Sequence, residues 1–106
     1  MSYKDLAAVL KILSDSNRLE ILDLLSCEEK CACDLLKHFQ FSQPTLSYHM
    51  KFLVNFGIVK ARKEGNKQMY SLDHEKFMEI IQKLNLIESS NQLCICQDMK
   101  TGVCEP

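Results

Sequence analysis

The chain has 106 residues, 46% hydrophobic and 25% charged, with a formal net charge of −1. That length holds one domain, and the balance of apolar and charged residues excludes disorder, collagen-like repeats and low complexity. The apolar runs are three or four residues long, too short to span a membrane, and the N-terminus lacks the features of an export signal. The expected location is therefore cytoplasmic, where the six cysteines stay reduced and clustered thiols point to metal, metalloid or redox chemistry.

Leu6, Val9, Leu10 and Leu13 recur at helical spacing and predict a first helix over residues 3–13. Asp15 is a candidate cap for a second helix over 16–26, with Leu19, Leu22 and Leu25 inward. Residues 27–30 read as a connection. A third helix follows over 32–38, with Ala32, Leu35, Leu36 and Phe39 on one face. Ser42 as cap and Pro44 in the first turn open a fourth helix that runs to Asn55, with Leu46, Met50 and Leu53 inward and Gly57 as its stop. Two extended runs, 58–62 and 67–72, flank Glu64-Gly65-Asn66 and predict a β-hairpin. A fifth helix spans 74–88, with Phe77, Ile80, Ile81, Leu84 and Ile87 on one stripe. Residues 89–106 show no periodicity and read as a cysteine-containing tail, leaving 1–88 as the folded domain.

The fold class is thus mostly α with a β-hairpin, in the order α-α-α-α-β-β-α. A short helix pair joined by a tight turn, then a basic hairpin, describes a winged helix-turn-helix. The charge supports this reading. Residues 1–36 carry net −3, residues 37–72 net +5, and residues 73–106 net −3. A basic middle third attracts phosphate while acidic ends limit indiscriminate adhesion; a solvated basic face without a partner is the alternative. On the fourth helix the outward positions are Ser42, Gln43, Thr45, Ser47, Tyr48, His49 and Lys51. Gln43 suits a bidentate contact to adenine, Thr45 offers a methyl to thymine, and Lys51 suits phosphate. Arg62, Lys63 and Lys67 surround the hairpin tip.

Four motifs carry a family resemblance: SDSNRLEILDLL at 14–25, KCACDLL at 30–36, SQPTLSYHMKFL at 42–53 and GIVKARKEGNKQMYSL at 57–72. Together they resemble the ArsR/SmtB family of metal-responsive repressors, over residues 3–88. The resemblance implies a homodimer joined through its first and last helices, bound to operator double-stranded DNA and released by an inducer. It makes the hairpin a DNA-contacting wing. It implies no catalytic residue, no resident cofactor and no membrane partner.

The cysteine segment is similar to that of the arsenical-resistance branch, which implies that Cys31 and Cys33 bind As(III) or Sb(III). Some members of that branch carry a third cysteine four residues on, where this chain has Lys37, so Cys27 is the candidate third ligand. Cys94, Cys96 and Cys104 form an alternative tail site. Residues i and i+2 of an ideal helix point about 200° apart, so arsenic bound to both Cys31 and Cys33 is expected to unwind the start of the third helix. A last-helix zinc site is not expected, because Asp73 and His74 have no second histidine beyond them. Cadmium, lead or thiol oxidation are alternative signals. A thiol oxidoreductase is the rival class, but no CxxC at a strand-to-helix junction and no glycine-rich phosphate loop supports it.

Overall fold

Side chains at four helix starts do the same job: each accepts a backbone N–H that the helix leaves unpaired. Ser2 begins α1 (Tyr3–Leu13) in a reciprocal box with Asp5, and Asp15 begins α2 (Ser16–Cys27) by accepting from the N–H groups of Asn17 and Arg18. Cys31 begins α3 (Ala32–Phe39), and Ser42 begins α4 (Gln43–Asn55) with Pro44 in its first turn. The computed structural model describes residues 1–88.

Gln40 ends α3 in the left-handed region, φ 58°, with its N–H donated to the Leu36 carbonyl at 2.9 Å. Only Gln40 to Ser42 separate α3 from α4, the tight turn of a helix-turn-helix. Gly57, at φ 76°, follows α4 and turns the chain into the sheet.

The sheet has three strands in the order β1-β3-β2: β1 (Lys30–Cys31), β2 (Val59–Glu64) and β3 (Lys67–Leu72). The hairpin register runs from Val59 opposite Leu72 to Glu64 opposite Lys67. Its two-residue turn takes positive φ at Gly65, the first central position, as a type II′ hairpin requires. β2 thus extends to Glu64, past the expected Arg62. β1 was expected to be connection; instead Lys30 pairs with Tyr70 and Cys31 with Met69. The order is therefore α-α-β-α-α-β-β-α. Asp73 accepts the Lys76 N–H and leads into α5 (His74–Glu88).

The core joins Leu6, Val9 and Leu13 to Ile21, Leu22, Leu25 and Leu35, then to Leu46, Met50, Leu53, Ile58, Val59, Leu72 and Ile80. Two expected core positions are corrected. Leu19 is 52% exposed, and Leu10 is also exposed. The buried stripe of α2 is Arg18, Ile21, Leu22 and Leu25, a regular i, i+3, i+4, i+7 set that starts on a charged residue. On α5 only Ile80 is fully buried, while Leu84 and Ile87 face outward.

The reassigned stripe separates two substitutions. Ile21→Ala should lower stability by about 2–5 kcal/mol, and Leu19→Ala by less than about 1 kcal/mol. Urea unfolding at one protein concentration measures both, and equal losses would restore Leu19 to the core.

Candidate nucleic-acid interface and thiol centre

The outward face of α4 follows from its inward one. With Leu46, Met50 and Leu53 buried, helical spacing leaves Gln43, Thr45, Ser47, Tyr48 and Lys51 exposed. The Ser42 hydroxyl is spent locally, accepting the Thr45 N–H at 3.3 Å and meeting the Thr45 hydroxyl at 2.9 Å. Tyr48 is 57% exposed, although its sequence neighbour is not.

That neighbour, His49, corrects the expected outward set: it is only 8% exposed. Its Nδ1 accepts from Arg18 Nε at 3.1 Å, and Phe41 lies 5.4 Å from its ring. A guanidinium is always protonated and only donates, so the contact requires a lone pair on Nδ1. Arg18 does more than hold His49. One of its other nitrogens donates to the Ile12 carbonyl at 3.1 Å, and its plane lies 4.7 Å from the Phe52 ring and 5.7 Å from the Tyr48 ring. One side chain of α2 therefore ties the end of α1 to two turns of α4.

The wing carries a second correction. Arg62 is paired, not a free cation. It donates two parallel bonds to the Glu29 carboxylate, at 2.8 and 2.6 Å, and a third to Glu64 at 3.0 Å. The guanidinium holds the Glu29 carboxyl below its ordinary value, and both carboxylates raise that of Arg62. Arg62 thus braces the wing against the residue preceding β1. Lys63 and Lys67 are exposed, and no ion pair engages either among the described residues.

The thiol centre begins where β1 ends. Cys31 is buried and has extended dihedrals, φ −85° and ψ 161°, so it lies outside α3 and caps it. Its Sγ accepts the Asp34 N–H at 3.3 Å, and the Asp34 carboxylate accepts the Cys31 N–H at 3.2 Å. Cys33, one residue inside the helix, is exposed. The two sulfurs are joined as a disulfide, with Cα atoms 5.3 Å apart. The expected 200° divergence does not arise, because it assumes that both residues are helical. The pair meets with α3 intact.

Sequence reasoning missed Asp34, although Cys-x-x-Asp has the spacing of a capping box. Its carboxylate and the two sulfurs lie within 4.8 Å of one another. Cys27 is an exposed free cysteine at the end of α2, outside this group. The alternative set Cys94, Cys96 and Cys104 lies outside the described residues. A recess of about 270 Å³ adjoins the pair and is lined by Gln43 of α4 and by Asn66, Lys67 and Gln68 of the hairpin. The thiol centre and two residues of the expected DNA face therefore share one cavity.

Residues 15–61 match the bacterial regulatory protein, arsR family. The chain is 64% identical over 104 residues to the arsenical resistance operon repressor of Staphylococcus aureus, covering 98% of this chain and all of that one. The chain belongs to the ArsR family. It is 62% identical to the arsenical resistance operon repressor of Staphylococcus xylosus, with the same coverage. Among solved structures, an ArsR-like transcriptional regulator from Rhodococcus sp. RHA1 superposes with TM-score 0.71 at 28% identity, covering 81% of each chain. HlyU from Vibrio cholerae N16961 superposes with TM-score 0.67 at 28% identity, covering 82% of this chain and 96% of that one. The ArsR-family chain is thus a winged-helix DNA-binding transcriptional regulator rather than an enzyme. No helix among its described residues is long and apolar enough to cross a membrane.

Removing the His49 acceptor strands the Arg18 Nε–H in a buried place. His49→Ala should cost about 1–3 kcal/mol in urea unfolding, the penalty for an unpaired buried donor. His49→Asn, whose side-chain oxygen can replace Nδ1, should recover most of it. Equal losses in the two variants would mean that His49 contributes by packing alone.

Proposed function

We propose that this protein represses an arsenical-resistance operon, binds its operator as a homodimer, and leaves DNA when As(III) or Sb(III) binds Cys31 and Cys33 in their dithiol form. One observation carries the reading: the two sulfurs converge at the cap of α3, beside Gln43 and the wing. The relatives named above as arsenical resistance operon repressors support the choice of inducer. Soft thiolates suit a soft thiophilic centre.

The reader is α4. Gln43, Thr45, Ser47 and Tyr48 face base edges, and Lys51 faces phosphate. Lys63 and Lys67 contact backbone from the wing; Arg62 holds the wing in place, and Ser42 and His49 hold α4. Tyr3 and Leu10 on α1 and Leu84 and Ile87 on α5 are exposed in one protomer, and a partner's helices cover such surface. The dimer then reads two half-sites about 10 bp apart, or a multiple of that.

Arsenous acid and two thiols give a hydroxyarsenic bis-thiolate and two waters, with no change of oxidation state. The Cys31 sulfur then gives its electron pair to arsenic and weakens as acceptor for the Asp34 N–H. An N-cap is worth about 0.5–2 kcal/mol. That matches the roughly 1–3 kcal/mol of a typical allosteric coupling, so loss of one cap is enough to loosen α3 beneath α4. No unwinding of the helix is needed to seat the arsenic. The tail cysteines at 94, 96 and 104 play no part in this step, and residues 1–88 suffice for it.

Fluorescence anisotropy on the operator tests the assignment. The reduced Cys31→Ser/Cys33→Ser protein should bind DNA and stay bound in arsenite, whereas the Cys94→Ser/Cys96→Ser/Cys104→Ser protein should be released. The reverse pattern would move the sensor to the tail. Release of both by cadmium but not arsenite would replace the inducer.

Salt dependence tests the wing. Lys63→Ala and Lys67→Ala should each reduce the slope of log K against log salt by about 1. Arg62→Ala should change it less, because its charge is already paired. A larger change for Arg62 than for either lysine would make Arg62 the phosphate contact.

A further inference from the structure

Trivalent arsenic takes three ligands, and the thiol centre supplies two sulfurs. Asp34 is the third donor nearby, but it offers a hard oxygen and already accepts the Cys31 N–H. Cys27 stands outside the group. What adjoins the sulfurs instead is open space, the recess of about 270 Å³ lined by Gln43, Asn66, Lys67 and Gln68. Its polar lining is three amides and one ammonium, with no carboxylate. A recess of that size and charge suits a small anion with a few hydrogen-bonding atoms.

We propose that the recess binds a small-molecule thiol bearing a carboxylate, whose sulfur is the third arsenic ligand and whose carboxylate meets Lys67. The inducer is then an arsenic–thiol adduct rather than arsenite alone. This rests on the reading that Cys31 and Cys33 take arsenic. The chemistry balances without redox change at arsenic: arsenous acid, two cysteine thiols and one small thiol form three As–S bonds, break three As–OH bonds and release three waters. The disulfide gives the required dithiol by exchange with two equivalents of the same thiol, which leave as their own disulfide. Once seated, the small molecule lies between Gln43 and Lys67, two groups proposed above to touch DNA. It fills the space from which they reach the operator.

The test uses the full-length protein, reduced with a phosphine that is then removed. Arsenite is titrated in the presence of 3-mercaptopropionate, 2-mercaptoethanol or cysteamine, which differ chiefly in charge. Thiolate-to-arsenic absorbance follows binding, and native mass spectrometry weighs the adduct, so DNA contacts do not enter. The expected adduct holds one arsenic and one small thiol per chain. Half-saturation should need about fivefold less arsenite with 3-mercaptopropionate than with cysteamine, the size of one exposed ion pair. Lys67→Met should abolish that preference. An adduct with arsenic but no small thiol, or equal titrations with all three thiols, would overturn the proposal and leave the Cys31/Cys33 reading standing. Failure of the protein to take arsenic under any of these conditions would overturn both.

Discussion

Cys31 is both the last residue of a sheet strand and the cap of a helix, and the site depends on that double position. As a strand residue it pairs with Met69 and is tied to the wing. As a cap it stands outside α3, with the Asp34 N–H pointing at its sulfur. Extended dihedrals at this one residue turn its side chain toward Cys33. Were Cys31 one residue further into the helix, the two sulfurs would diverge and no single atom could join them. Wing, thiol pair and first helix of the DNA-reading unit therefore meet at one residue.

Around that point the structure holds its DNA-reading parts by polar ties that cross long sequence distances. Arg18 reaches 31 residues to His49, and Glu29 reaches 33 residues to Arg62. The first tie is buried and sets α4 against α2; the second is exposed and sets the wing against the approach to β1. The buried tie carries more energy, because either partner left alone would be an unpaired polar group out of water. Among the described residues every buried side-chain polar atom has a partner. The regulator thus keeps its reader rigid and places its responsive element, a single sulfur cap, at the boundary between the two elements that touch DNA.

Much of this was legible in the sequence. Helix positions followed from apolar spacing and from Asp15, Ser42 and Pro44, and the hairpin from Gly65-Asn66 between two extended runs. The family motifs located the reader and the thiol pair. What was not legible has physical reasons. A two-residue strand such as β1 has no periodicity to detect. The inward stripe of α2 begins with Arg18, and a hydropathy reading skips a charged residue and shifts to Leu19. His49 and Arg62 read as outward groups because their partners lie on other elements, and no local pattern reports a contact across 30 residues. The geometry of Cys31 and Cys33 was misjudged by one dihedral pair: the spacing was known, but not that the first cysteine is a cap.

The central claim is that arsenic acts by taking the sulfur that caps α3. Amide hydrogen exchange of the reduced, DNA-free protein tests it most directly, with and without arsenite. The account predicts faster exchange at Asp34 and the neighbouring first-turn amides of α3, while the Gln40 N–H keeps its protection through the Leu36 carbonyl. Unchanged protection across residues 31–40, under conditions where arsenite still releases the operator, would contradict it.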